Sequence, residues 1–206
     1  MLPLKHKSKA YSGFSLIELA IVLVIVATLS VGALSALRLH TERANLLEAR
    51  SMLAEAREAL LNHAAVSGSL PCPDTNDDGD PDACPANGAL VGRVPWRLLA
   101  LPERDPWGQT LNYSVHSSFA SGRTIALTSL GGIDIRSASS NGSSESLANP
   151  ESVAMALWSS GANGSQEAGR EAPFQLLAEA PESDDLVVWL SRFVLIGRML
   201  EAGRSL

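Results

Sequence analysis

The chain of 206 residues has little of what catalytic sites are built from: two cysteines, four histidines, 5% aromatic residues and no lysine beyond position 9. It lacks a G-x-S-x-G elbow, a G-x-x-x-x-G-K loop, a G-x-G-x-x-G turn and an H-E-x-x-H pair, which removes the usual routes to a serine nucleophile, a nucleotide cradle or a catalytic zinc. His6, His40, His63 and His116 are scattered and read as ordinary surface residues. No enzyme is expected. A basic stripe is also missing: Lys5, Lys7 and Lys9 stand near the start, and residues 14–206 hold 13 arginines against 22 acids, a balance of −9. Such a body is a poor phosphate-backbone binder, so no direct nucleic-acid partner is expected. With 46% hydrophobic and 18% charged residues the chain is not disordered throughout, and it has room for one modest domain.

What it does have is a long apolar run. Residues 14–37 contain one charge, Glu18, and a purely aliphatic centre, LAIVLVIVA, at residues 19–27. As a helix this run would extend roughly 36 Å, enough to cross a bilayer. The basic flank MLPLKHKSKAYSG would stay in the cytoplasm and send everything after residue 37 across the membrane. The run is too long for an ordinary cleaved signal of 7 to 15 apolar residues, which leaves an uncleaved anchor or a different processing route.

The junction reads Gly13-Phe14-Ser15-Leu16-Ile17-Glu18. It resembles the type IV pilin and type II secretion pseudopilin family, whose precursors carry glycine, phenylalanine, serine or threonine, leucine, isoleucine or leucine, then glutamate at this point. The resemblance covers about 25 residues. It implies cleavage after Gly13 by a prepilin peptidase, methylation of the new Phe14 amine and assembly into a filament with other pilins or pseudopilins. An assembly ATPase and an inner-membrane platform protein would serve that assembly. Glu18 would pair with the Phe14 amine of a neighbouring subunit and set the register, because a carboxylate inside an apolar helix costs a few kcal/mol unless it finds a cation. Where many family members have proline about twenty residues into the mature helix, this chain has Gly32-Ala33-Leu34-Ser35.

Beyond the run, Leu39, Leu46, Leu53 and Leu60 recur every seven residues, flanked by Arg43, Glu48, Arg50, Glu55, Arg57 and Glu58. An amphipathic helix is expected to continue to Ser67, with Gly68 as its C-cap and Pro71 beyond it. Its leucine stripe serves either a parallel coiled coil or the chain's own globular part. The stretch spans only four heptads and globular sequence follows at once, which favours the second.

Next comes Cys72-Pro-Asp74-Thr-Asn76-Asp-Asp78-Gly79-Asp80-Pro-Asp82-Ala-Cys84. A Cys72–Cys84 disulfide is the simplest pairing in an oxidising compartment; a metal–thiolate site would have too few ligands. Within it, Asp74, Asn76 and Asp78 occupy positions 1, 3 and 5 of a calcium loop, with Gly79 at the turn, Asp80 offering its carbonyl and Asp82 at position 9. The alternative is a solvated acidic turn. The segment is similar to thrombospondin type 3 repeats, and less so to dockerin loops. Position 12 is Pro85, so a last ligand such as Glu103 or Asp105 would have to come from elsewhere.

The stretch Asp105-Pro106-Trp107-Gly108 with Tyr113 resembles the block that introduces the sheet in major type II secretion pseudopilins. It predicts a turn at Asp105-Pro106, Trp107 packed on the long helix and a strand from Leu111. Residues 123–130 and 152–158 read as further strands, residues 137–146 and 159–169 as Ser/Gly-rich surface loops, and residues 184–200 as a terminal helix. The expected fold is α+β and pilin-like: a long N-terminal helix on a small antiparallel sheet, with a disulfide-clamped loop and a C-terminal helix. The expected organisation is a leader at 1–13, a membrane and filament-core helix at 14–37, an amphipathic helix at 38–67 and a periplasmic head at 68–206. Functionally this is a minor pilin or pseudopilin, or else a filament-tip binding module such as an adhesin or uptake receptor on the same stalk.

Overall fold

A computed structural model describes residues 15–85, 87–138, 144–165, 175–179 and 184–206, with the side chains of 31–39, 138, 144 and 175–179 outside that description. The leader, Gly13 and Phe14 therefore lie outside the described residues, as do residues 139–143 and 166–169 of the expected surface loops; of the rest, 137–138 and 144–146 belong to strands and 159–161 are buried. The chain divides into two compact units, Met1–Ala44 and Asn45–Leu206. One helix, α1 (Leu16–Ser67), begins in the first unit and ends in the second.

In the second unit, α1 buries Ala49, Leu53, Ala56, Leu60 and Ala64 completely. Their three- and four-residue spacing places them on one face, of which Leu53, Ala56, Leu60 and Ala64 pack into the unit's own core. The helix stops as expected. Gly68 takes a φ of +87° and donates to the Ala64 carbonyl, and the Arg204 side chain donates to the spare Ala65 carbonyl at 3.0 Å.

The main sheet has four antiparallel strands in the order β1 (Ala89–Arg93), β2 (Asn112–His116), β5 (Val153–Ser159), β7 (Leu186–Ser191). A short helix, α2 (Trp96–Leu99), follows β1, and α3 (Arg192–Glu201) follows β7. One sheet face sends Leu90, Tyr113, Val115, Met155, Leu157 and Leu190 into a core with Leu53 and Leu60 of α1 and Leu195 and Met199 of α3. The other face sends Ala156 and Trp158 into a second core with Ile133 and Ile135. This second core adjoins a three-stranded sheet that was not expected: β4 (Ser144–Ser146), β3 (Asp134–Ala138), β6 (Gln175–Glu179), with β3 and β6 parallel. The head therefore exceeds one small antiparallel sheet, and β5 is buried at all seven residues because its sheet is covered on both faces.

Three local expectations change. The expected terminal helix at 184–200 is a strand followed by a helix: β7 runs through Leu186–Ser191, and the Ser191 hydroxyl caps α3 by accepting the Phe193 N–H at 3.3 Å. Pairing of β7 with β5 overrides the helix-like spacing of Trp189, Leu190 and Phe193. Residues 123–130 form no strand; Ile125 alone is buried, and Arg192 holds the segment by donating to the Ser129 carbonyl at 2.8 Å. Trp107 is half-buried and belongs to neither core, whereas Trp96 packs against the main one.

Candidate functional site

Two features stand out, and each belongs to one unit. In the first, α1 is apolar on every side over residues 19–27, and Leu16, Ile17, Leu19, Ile21, Val22, Leu23, Val24, Ile25, Val26 and Leu29 are all exposed, Leu16 by 88% and Leu29 by 69%. A helix with no polar face does not suit water; it suits lipid or other helices. Its hydroxyls are satisfied internally: Thr28 donates to the Ile25 carbonyl at 2.9 Å and Ser30 to the Val26 carbonyl at 2.7 Å. Glu18 is the single charge among residues 15–30 and lies exposed in the first turn. Among the described residues no helix is long and apolar enough to cross a membrane.

In the second unit, Cys72 and Cys84 are joined with their Cα atoms 5.5 Å apart, as the cysteine count indicated. Closing so short a loop contributes about 3 kcal/mol on a chain-entropy reckoning. The enclosed segment, here termed the strap, is held by its own acids. Asp74 is 1% exposed; its Oδ1 accepts the N–H groups of Asn76 at 3.0 Å and Asp77 at 2.7 Å, and its Oδ2 accepts that of Gly79 at 2.7 Å. Asn76 accepts the Asp78 N–H at 3.0 Å and Asp78 accepts the Asp80 N–H at 2.8 Å, giving successive Asx turns. Asp82 accepts the Thr75 N–H at 2.7 Å and the Thr75 hydroxyl, and these donors hold its carboxyl below the ordinary carboxylate value.

The strap is docked on the body. Gly79, at φ +85°, lies so close to the Trp96 indole that a Cβ there would come within 2.5 Å of the ring, and its carbonyl accepts the Arg97 N–H at 3.0 Å. Arg97 pairs with Asp80 at 3.6 Å, and Arg93 pairs with Asp77. Asp105 is occupied elsewhere: its Oδ1 accepts from Trp107 and Gln109, and its Oδ2 accepts the buried Ser159 hydroxyl at 2.6 Å. Glu103 pairs with Arg104 at 3.0 Å. Neither reaches the strap as a ligand in this arrangement. The strap's oxygens are the hard donors a calcium ion takes, but among the described residues no three acids, histidines or cysteines gather closely enough to hold a metal.

Two histidines are less superficial than their sequence suggests. His63 on α1 and His116 at the end of β2 are half-buried, and burial lowers both ring pKa values; for His116 a hydrogen bond to Leu130 opposes the shift. Tyr113 is fully buried, which raises its hydroxyl well above 10.0, and it donates to the Pro71 carbonyl at 3.1 Å.

Against known proteins, the family model described as "Prokaryotic N-terminal methylation motif" matches residues 8–34. No curated protein and no solved structure matches the chain. The matched motif spans the junction and the start of the apolar helix, and it supports a subunit of the pilin or pseudopilin type, a structural class.

Proposed function

We propose that this chain is a minor pilin or pseudopilin: a non-enzymatic subunit inserted in the bacterial inner membrane through residues 14–37 with its body in the periplasm, then drawn into a type IV pilus or type II secretion filament. Prepilin peptidase trims it after Gly13, the Phe14 amine is methylated, and the assembly platform and its ATPase extract it from the bilayer. The observation that carries this reading is a helix stretch whose large apolar side chains are exposed from Leu16 to Leu29 and which bears one carboxylate, inside the segment that matches the methylation motif. Water penalises such a surface at about 25 cal/mol per Å², so it is driven into lipid and, once extracted from the bilayer, is buried against like helices. Glu18 and the Phe14 amine of a neighbour offset each other's desolvation and fix the axial step.

The strap is the proposed seat of a calcium ion, which would have to draw together the side chains of Asp74, Asn76, Asp78 and Asp82 with the Asp80 carbonyl, because its acids do not gather closely enough in this arrangement. The succession of Asx turns and the glycine turn at Gly79 support that donor order. The experiment for the main reading is mass spectrometry of the protein from its native membrane and filament fractions. A chain beginning at methylated Phe14 is expected; an intact Met1 throughout would overturn the proposal.

A further inference from the structure

The main sheet ends on β1, and the ladder decides which of its backbone groups are spare. Val94 donates to the Leu111 carbonyl and Ser117 to the Gly88 carbonyl. With Leu90 opposite Val115 and Gly92 opposite Tyr113, the even-numbered residues bond to β2 and the odd-numbered ones turn their N–H and C=O groups outward. The outward groups of Arg93 are taken by Asp74, which accepts its N–H at 2.7 Å and donates to its carbonyl at 3.0 Å.

Continued, that bridge would set Asn76 against Val91, but the Asx turns lead the strap away and the ladder stops after one pair. The outward groups of Ala89 and Val91 have no backbone partner among the described residues. A cavity of about 410 Å³ opens there, lined by Asp74, Thr75, Asp77, Val91, Gly92 and Arg93. Gly92 lets the strap lie against the strand, since a Cβ there would come within 2.5 Å of the Asp74 carbonyl oxygen. The rim is acidic: Asp77, Asp78 and Asp80 are exposed, with Arg93 and Arg97 their only paired cations among the described residues.

We propose that the β1 edge is a strand-addition site, at which an extended, basic segment of a partner polypeptide bonds to Val91 and Ala89 where Asp74 leaves off and sets its cations against the strap. Backbone bonding supplies affinity and the acids select the partner. The site stands whether or not the chain is a filament subunit, but it shares Asp78 with the proposed calcium ion, so its test is run with a calcium chelator present. The probe is a fluorescein-labelled, capped heptapeptide of alternating lysine and valine, titrated onto the full chain in detergent micelles by anisotropy, with amide hydrogen exchange on the complex. Saturable binding is expected, with exchange slowed at Ala89 and Val91. N-methylating the peptide on its β1-facing edge should weaken binding about tenfold, the effect of one lost hydrogen bond. Replacing its lysines with glutamate should weaken it by at least about threefold, the yield of an exposed ion pair. Val91→Pro removes an outward donor while sparing the ladder to β2, and should match the N-methylated peptide's loss while unfolding cooperatively. No binding, protection confined to other strands, or equal affinity for the N-methylated or the glutamate peptide would overturn the proposal.

Discussion

Replacing Asp74 with alanine tests whether the strap is held by its own acids. The carboxylate accepts three N–H groups, but they are not equivalent. Those of Asn76 and Asp77 belong to exposed residues and can turn to water, so each loss costs little. That of Gly79 is buried against Trp96, where water cannot replace the acceptor. Orphaning a buried donor that faced a charged acceptor costs about 1.5–3 kcal/mol, and the two exposed turns add a few tenths each, giving about 3 kcal/mol. For a domain stable by about 5–15 kcal/mol this is a large fraction, and it corresponds to a fall in Tm of roughly 6–12 °C. Urea unfolding of the full chain in micelles, followed by tryptophan fluorescence, reads it directly because Trp96 lies beneath Gly79. Asp74→Asn keeps one acceptor oxygen and should lose about half as much. A change within about 0.5 kcal/mol for Asp74→Ala, the range of an ordinary surface substitution, would refute the reasoning.

The half-buried histidines set a pH dependence. Because the folded state lowers the pKa of His63 and His116 below the ordinary 6.5, the folded chain binds those protons less tightly than the unfolded chain, so this stability is present above 6.5 and is lost as pH falls through the folded values. NMR titration should give midpoints below 6.5 for both rings; a midpoint above it for either would contradict the burial argument. For calcium, calorimetry on the full chain should show binding that Asp78→Ala abolishes while leaving the fold intact, since Asp78 is exposed and, among the described residues, accepts only the Asp80 N–H. No heat with the parent protein would leave the strap as a self-held turn and remove the ion from the account.

Legibility followed burial. The solvent-side half of α1 could be read because it buries one face only, so Leu53, Ala56, Leu60 and Ala64 stand out against charged neighbours. The disulfide followed from there being two cysteines, and the glycine stop from its position. Strand β7 could not be read, because Val188 and Leu190 pack on one core and Val187 and Trp189 on the other, so no polar alternation marks it. The run at 123–130 misled in the opposite sense: its apolar residues Leu127 and Leu130 are exposed, and no partner strand claims them. At the strap, residue types pointed to a donor set. Which lone pairs the backbone N–H groups take depends on the folded turn, and the free edge of β1 depends on a register set by residues far away in sequence.

The proposed assembly turns on Glu18. The decisive measurement compares the full chain with Glu18→Ala in its native host, following N-terminal trimming by mass and incorporation by quantifying the subunit in sheared filaments. Trimming should be unchanged while incorporation falls about tenfold or more, as expected when a charge pair in an apolar bundle loses one partner. Equal incorporation of the two proteins would contradict the claim that this carboxylate sets the register of assembly.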